Sequence, residues 1–237
     1  MRFVRPASST PPCTPTRANT SFHRTLYLRT LMPSKSLTNL TERLKDIDQL
    51  LNAHSAITKF NNAQNAANQA GGQLAQVATV FNALVTKPGK GKPKEVDAIN
   101  RAAYVLLAAH FQGFVDEIHA EIGKIVLAGK AADPDAVIKL VKPPRSNPHV
   151  NIINQMFAGL GVYEIMDSIS WQKCDNKTVK TRLTHCLETR NKIAHGKKEP
   201  ITKSKVVQLK QFVELLAQKL DAEIVAKTQP ILGKAPW

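Results

Sequence analysis

Arg190, Asn191 and His195 are the residues of this 237-residue chain whose types and spacing could do chemistry. A guanidinium can hold a phosphate bidentately, an amide can hydrogen-bond a phosphate or a base, and an imidazole moves protons near neutral pH. Gathered on one helix end, the three describe a phosphodiester site that needs no metal. They lie in Glu188-Thr189-Arg190-Asn191-Lys192-Ile193-Ala194-His195-Gly196, and the apolar periodicity predicts that this stretch ends a helix starting near Lys177. At roughly 100° per residue with Val179 at zero, Val179, Leu183, Cys186, Leu187, Ile193 and Ala194 fall within an arc from about −40° to +80°, which defines a buried face. Arg190 lands at about 20°, in the middle of that stripe, while Asn191 and His195 share its flank near 120–160° and Glu188, Lys192 and His185 lie behind. Gly196 is the residue type most often found just past a helix end. The last turn of a helix is the negative end of its macrodipole, a place that favours an imidazolium. The same residues also have a purely structural use, with Arg190 meeting a carboxylate in the core and His195 capping the last carbonyls. The helix alone leaves both readings open.

The elements that must position this helix read as helices too. After Lys197-Lys198-Glu199-Pro200, Thr202 or Ser204 can cap a last helix whose stripe is Val206, Leu209, Val213, Leu216, Leu220 and Ile224, closed by Pro230. The longest apolar helix is expected from about Asp97 to Leu127, through Ile99, Ala102, Ala103, Leu106, Ala109, His110, Phe114, Ile118, Ile122, Ile125 and Val126. It should be the central pillar, with His110 among its apolar residues and Asp116, Glu117 and His119 on or near the other face. Pro134, Pro143, Pro144 and Pro148 punctuate an irregular crossing to a helix at about Val150 to Ile165, and Lys139, Lys142, Arg145 and His149 form a basic rim on that crossing. A polar turn with Trp171 and Cys174 leads into the motif helix.

Nearer the start, Asn39 and Glu42 read as a capping box for a helix with Leu40, Leu44, Ile47 and Leu51 on one face, continued by His54 as a core or boundary histidine. Phe60 to Gln76 is a mostly polar connection, and Val77, Phe81, Leu84 and Val85 make a short second helix before the lysine-rich loop Lys87 to Lys94. No stretch alternates as a strand and no internal repeat is present. The expected fold class is all-α. The expected division is a disordered basic tail over 1–34, a helical extension with its lysine loop over 35–94, and a helical domain over 95–230. Residues 1–31 have the Ser, Thr, Pro and Arg content of a transit segment or of sequence read upstream of a start at Met32.

Composition bounds the function. Lys and Arg number 33 against 18 Asp and Glu, a net charge of +15, so polyanions are the expected partners. Arg2, Arg5, Arg17, Arg24 and Arg29 sit in a stretch free of acids, and the rest of the chain is still basic. Three cysteines, Cys13, Cys174 and Cys186, make neither a disulfide framework nor a zinc site and fit the cytoplasm. No apolar run reaches the ~18 residues that would span a membrane. The seven histidines are dispersed, with no His-x3-His pair and no paired-acid cluster, which disfavours a zinc or two-metal nuclease. Gly89-Lys90-Gly91-Lys92 lies among prolines without a strand–helix context, so it is not a nucleotide-binding turn.

Arg190-Asn191-Lys192-Ile193-Ala194-His195-Gly196 resembles the signature of the HEPN superfamily of small helical domains, Arg-Asn followed after three or more residues by His. The helix Arg101 to Ile118 resembles the first core helix of HEPN proteins of the RiboL-PSP type, and the resemblance extends over about Val96 to Ile224. It implies an antiparallel bundle of four or five helices, to which the N-terminal hairpin is an addition. It also implies a metal-independent endoribonuclease of a toxin or anti-phage defence system, without cofactor. Its site would form where two motif helices meet across a homodimer, with two copies of Arg190, Asn191 and His195 as catalytic residues. Lys192, Lys197 and Lys198 would contact RNA, and an antitoxin or sensor protein would restrain the activity. The alternative is a HEPN-like domain that no longer cuts and serves as an RNA-binding or protein-interaction module.

Overall fold

In the computed structural model, residues 32–70, 94–142, 147–172 and 174–237 are described. The basic tail over 1–31, the short helix around Val77 to Val85, the lysine-rich loop up to 93 and Arg145 of the basic rim lie outside them. The described residues form six helices: α1 Lys35–Ala70, α2 Lys94–Leu127, α3 Pro134–Val141, α4 Val150–Ala158, α5 Asn176–Ala194 and α6 Lys203–Leu232. No strand occurs among the described residues; one isolated bridge pairs Trp171 with Cys174. The fold is all-α, as expected.

The pillar is α2, which touches every other helix. Its buried residues include Ala103, Leu107, Phe111, Phe114, Val115, Ile118 and Ile122. The expected stripe through Ile99, Ala102, Leu106 and Ala109 is off by about one residue: Ala102 and Ala109 are exposed, and Ile99 and Leu106 only half-buried. A helix with partners on several sides buries a broad arc, so a wheel does not single out one face, and the bulk of Leu107 and Phe111 takes the centre. His119 also departs from expectation. It is fully buried, its Nε2 lies 3.0 Å from the Met156 carbonyl oxygen, and its ring meets Phe157 edge-on. Burial pulls its pKa down, so the imidazole is held neutral. Asp116 and Glu117 do reach the edge of the helix, where they pair with Lys142 and Arg43.

At the start of α1, the cap is Ser34 rather than Asn39: the Ser34 hydroxyl accepts from the Leu37 N–H at 3.0 Å. The Glu121 carboxylate of α2 accepts the next free donors, the N–H groups of Lys35 and Ser36. A carboxylate at a helix N-terminus both satisfies orphan donors and complements the dipole. Leu40, Leu44, Ile47 and Leu51 are buried as expected and share one core with α2, α5 and α6. The helix continues unbroken through the polar stretch beyond Phe60 to Ala70. A buried carboxylate, Asp221 of α6, accepts from the Ser34 N–H and from Trp237 Nε1, tying the start of α1 and the chain's last residue to one point.

Two further elements differ from expectation. The crossing after α2 contains α3, because Asp133 caps it by accepting from the Ala136 N–H at 3.0 Å and Pro134 takes the first helical position, where a missing N–H costs nothing. Gly123 lets α3 come close: a Cβ there would stand 2.7 Å from Ile138. Helix α4 stops at Ala158 rather than near Ile165, since Gly159 packs against Val141 and Gly161 turns the chain with φ +82°. Pro230 does not close α6 but sits in its last turn, and Gly233, with φ +72°, is the cap. No helix of the described residues is long and apolar enough to cross a membrane.

Candidate functional site

Helix α5 carries the motif, and both of its ends are fixed by local chemistry. Asp175 caps the start, its carboxylate accepting from the Thr178 N–H at 2.8 Å. Val179, Leu183, Cys186 and Leu187 are buried against the core as their spacing predicts, and Thr189 joins them. The end is a Schellman motif: Gly196 donates to the Ile193 carbonyl and Lys197 to the Lys192 carbonyl, each at 2.9 Å. Gly196 adopts φ +77°, a conformation that a side chain would oppose. His195 is the C-cap, with its N–H on the Asn191 carbonyl at 3.0 Å and its side chain exposed. Ala194, expected in the buried stripe, is exposed, and Ile193 is half-buried, because the last turn of α5 runs past the packed core.

Arg190 is half-buried, and what holds it is not a carboxylate. Its Nη1 donates to Asn191 Oδ1 at 3.0 Å and to Asn147 Oδ1 at 3.2 Å. Asn147 Nδ2 donates in turn to Asn191 Oδ1 at 3.1 Å. A guanidinium has only donors, so both amides turn their oxygens to it, and the three side chains close into a triangle. No carboxylate of the described residues forms an ion pair with Arg190, so its charge is oriented but not neutralised. Asn147 was not among the residues singled out in the sequence. It precedes the buried Pro148 just before α4, and its backbone oxygen accepts from the His149 N–H at 2.7 Å. The only local signal was an Asn-Pro pair, which reads as turn punctuation.

The structure therefore joins Arg190 and Asn191 directly and adds Asn147, with His195 one turn further along the flank that carries Asn191. Lys197 and Lys198 are exposed just beyond the cap. Lys192 points elsewhere: it lies across the helix, 3.9 Å from Glu199, on the wall of a separate cleft between α5 and α6. His110, expected among apolar residues, is mostly buried at the α1–α2 contact and faces Asp46 at 3.5 Å; burial is the main cause that lowers its pKa, partly opposed by Asp46. Among the described residues no three His, Cys, Asp or Glu side chains gather as a metal site.

An all-helical bundle with an Arg-Asn-x3-His sequence closing one helix defines the class, a HEPN domain. The RiboL-PSP-HEPN family model matches residues 73–226, well over half of the chain, and includes the whole of the Arg190–His195 stretch. The chain belongs to the RiboL-PSP-HEPN family. No curated protein and no solved structure gives a significant match. Helix α1 lies outside the matched residues, yet its apolar face is part of the same core.

Proposed function

We propose that this chain is a metal-independent endoribonuclease that acts as a toxin or anti-phage effector, with a site formed from two copies of the α5 end in a homodimer. The observation that carries the reading is Arg190: a guanidinium set in an apolar stripe, held in place by two neutral amide oxygens and by no acid among the described residues. Such a group is positioned while its charge remains available to a phosphate. The exposed Ala194 and His195 at the end of α5 leave that helix end open to a second copy and to RNA.

In the proposed reaction the imidazole of His195 takes the proton of the attacking 2′-hydroxyl or gives one to the leaving 5′-oxygen. Arg190 stabilises the charge that builds on the phosphorane oxygens, where preorganised donors contribute most. Asn191 holds the guanidinium, and Asn147 is the positioning residue that locks the pair. Lys197 and Lys198 contact neighbouring phosphates. The products are a 2′,3′-cyclic phosphate and a 5′-hydroxyl. End-group analysis of RNA fragments made in EDTA tests this chemistry: cyclic phosphate ends are expected, and 3′-hydroxyl ends or full loss of cutting in the chelator would overturn it.

A further inference from the structure

A cleft of about 460 Å³ opens between α5 and α6, around the helix from Asn191 and His195. Its volume falls in the range of small-molecule sites. Three cations, Arg182, Lys192 and Lys205, line it against one acid, Glu199, which lies 3.9 Å from Lys192. The Arg182 guanidinium is set 4.6 Å over the Phe212 ring, so one of the cations is already held in place and covers that ring. Ile201 and Leu209 supply an apolar wall. At the floor lie Tyr104, Cys186 and Thr189, all three buried. Burial pushes both the phenol and the thiol up, the thiol to about 11, so the floor is neutral and repels no anion. Positive groups are thus arranged about a neutral floor with an apolar wall beside it.

We propose that this cleft binds a phosphate monoester carried on a small apolar group, with the phosphate at Arg182 and Lys205 and the apolar body against Ile201 and Leu209. The phosphate supplies what the cations lack, since among the described residues no carboxylate pairs with Lys205, whose Nζ donates to the Pro200 carbonyl oxygen at 3.0 Å, while the apolar body uses the wall of Ile201 and Leu209. The site is independent of the cleavage reaction, because none of Arg190, Asn191, His195 or Asn147 lines it.

Calorimetric titration of the full chain with phenyl phosphate, inorganic phosphate and phenol tests this. One phenyl phosphate per chain is expected, at least about tenfold tighter than either fragment alone, because both halves of the site are used. The double variant Arg182→Gln/Lys205→Gln should weaken it by about tenfold or more, as expected for lost charge-assisted bonds. Gln208→Trp, at an exposed position on the cleft wall, should block it, and Arg190→Ala should leave it unchanged. No saturable binding of phenyl phosphate, affinity no better than that of inorganic phosphate, or indifference to both cleft variants would overturn the proposal, whatever the chain does to RNA.

Discussion

Replacing Asn147 by Asp changes one atom of the triangle and reverses its electrostatic meaning. The carboxylate would stand where Asn147 Oδ1 now accepts from Arg190 Nη1, at 3.2 Å. Two unit charges at that distance attract by about 1.3 kcal/mol in water and about 5 kcal/mol at an effective dielectric near 20. Arg190 is half-buried, so solvent screening keeps the net gain toward the lower end, about 1–2 kcal/mol. A phosphate must displace or share that new partner, and the same 1–2 kcal/mol becomes roughly a 5–30-fold loss of RNA affinity. The same change removes the Asn147 Nδ2 donation to Asn191 Oδ1, at 3.1 Å, and sets oxygen against oxygen there, which offsets that gain, so folding stability should hold or fall slightly. Asn147→Ala acts differently, since it removes one acceptor without neutralising the guanidinium; it should loosen Asn191 while retaining more RNA affinity than the Asp variant. Fluorescence anisotropy with labelled RNA at fixed salt, beside urea unfolding of each variant, separates the two. If Asn147→Asp folds normally and binds and cuts RNA as the wild type does, Arg190 is not the group that holds the phosphate and the reasoning fails.

Three other outcomes follow from the packing. Gly123→Ala places a Cβ 2.7 Å from Ile138 and should cost about 1–3 kcal/mol in urea unfolding, most of it relieved in the Gly123→Ala/Ile138→Ala background; additive costs would show that α3 is not wedged there. Gly196→Ala forces a side chain into φ +77° and should cost about 1 kcal/mol, a lower Tm being the readout and an unchanged one the contradiction. His119 is buried with its pKa lowered, so below the ordinary value near 6.5 the unfolded chain binds a proton that the folded chain refuses. Its contribution to stability is complete above that pH and falls as pH drops toward the folded pKa, by up to about 1.4 kcal/mol per pH unit. Urea midpoints should therefore decline from pH 7 to pH 5, and less so in His119→Gln; equal slopes would show that another group is responsible.

Helices that bury one stripe were legible, and the element that is surrounded was not. For α5 and α6 the apolar positions Val179, Leu183, Cys186 and Leu187, and Val206 through Ile224, are buried where the spacing put them. For α2 the stripe was displaced and His119 was placed outside, because partners on several sides remove the contrast that a wheel depends on. Helix α3 was hidden by its own start signal: Asp133-Pro134 served as cap and first residue but read as a break. At the site, Arg190 on the apolar face was visible as an anomaly. Its restraint by Asn147 was not, because a contact across 43 positions leaves no local pattern in one sequence. Lys192 was grouped with the motif by proximity in sequence, while one step around the helix carried it to the wall of the other cleft.

The most direct test of the central claim is cleavage of total RNA in EDTA by the wild type and by His195→Ala, with circular dichroism and sizing of both. His195 is exposed at the C-cap, so its loss should leave the fold intact, and sizing checks that the oligomer is kept. The wild type should cut without metal, and the variant should lose cutting by about 10²-fold or more, the scale of a positioned acid–base group. Equal cutting by the two proteins, or none by the wild type, would contradict the account.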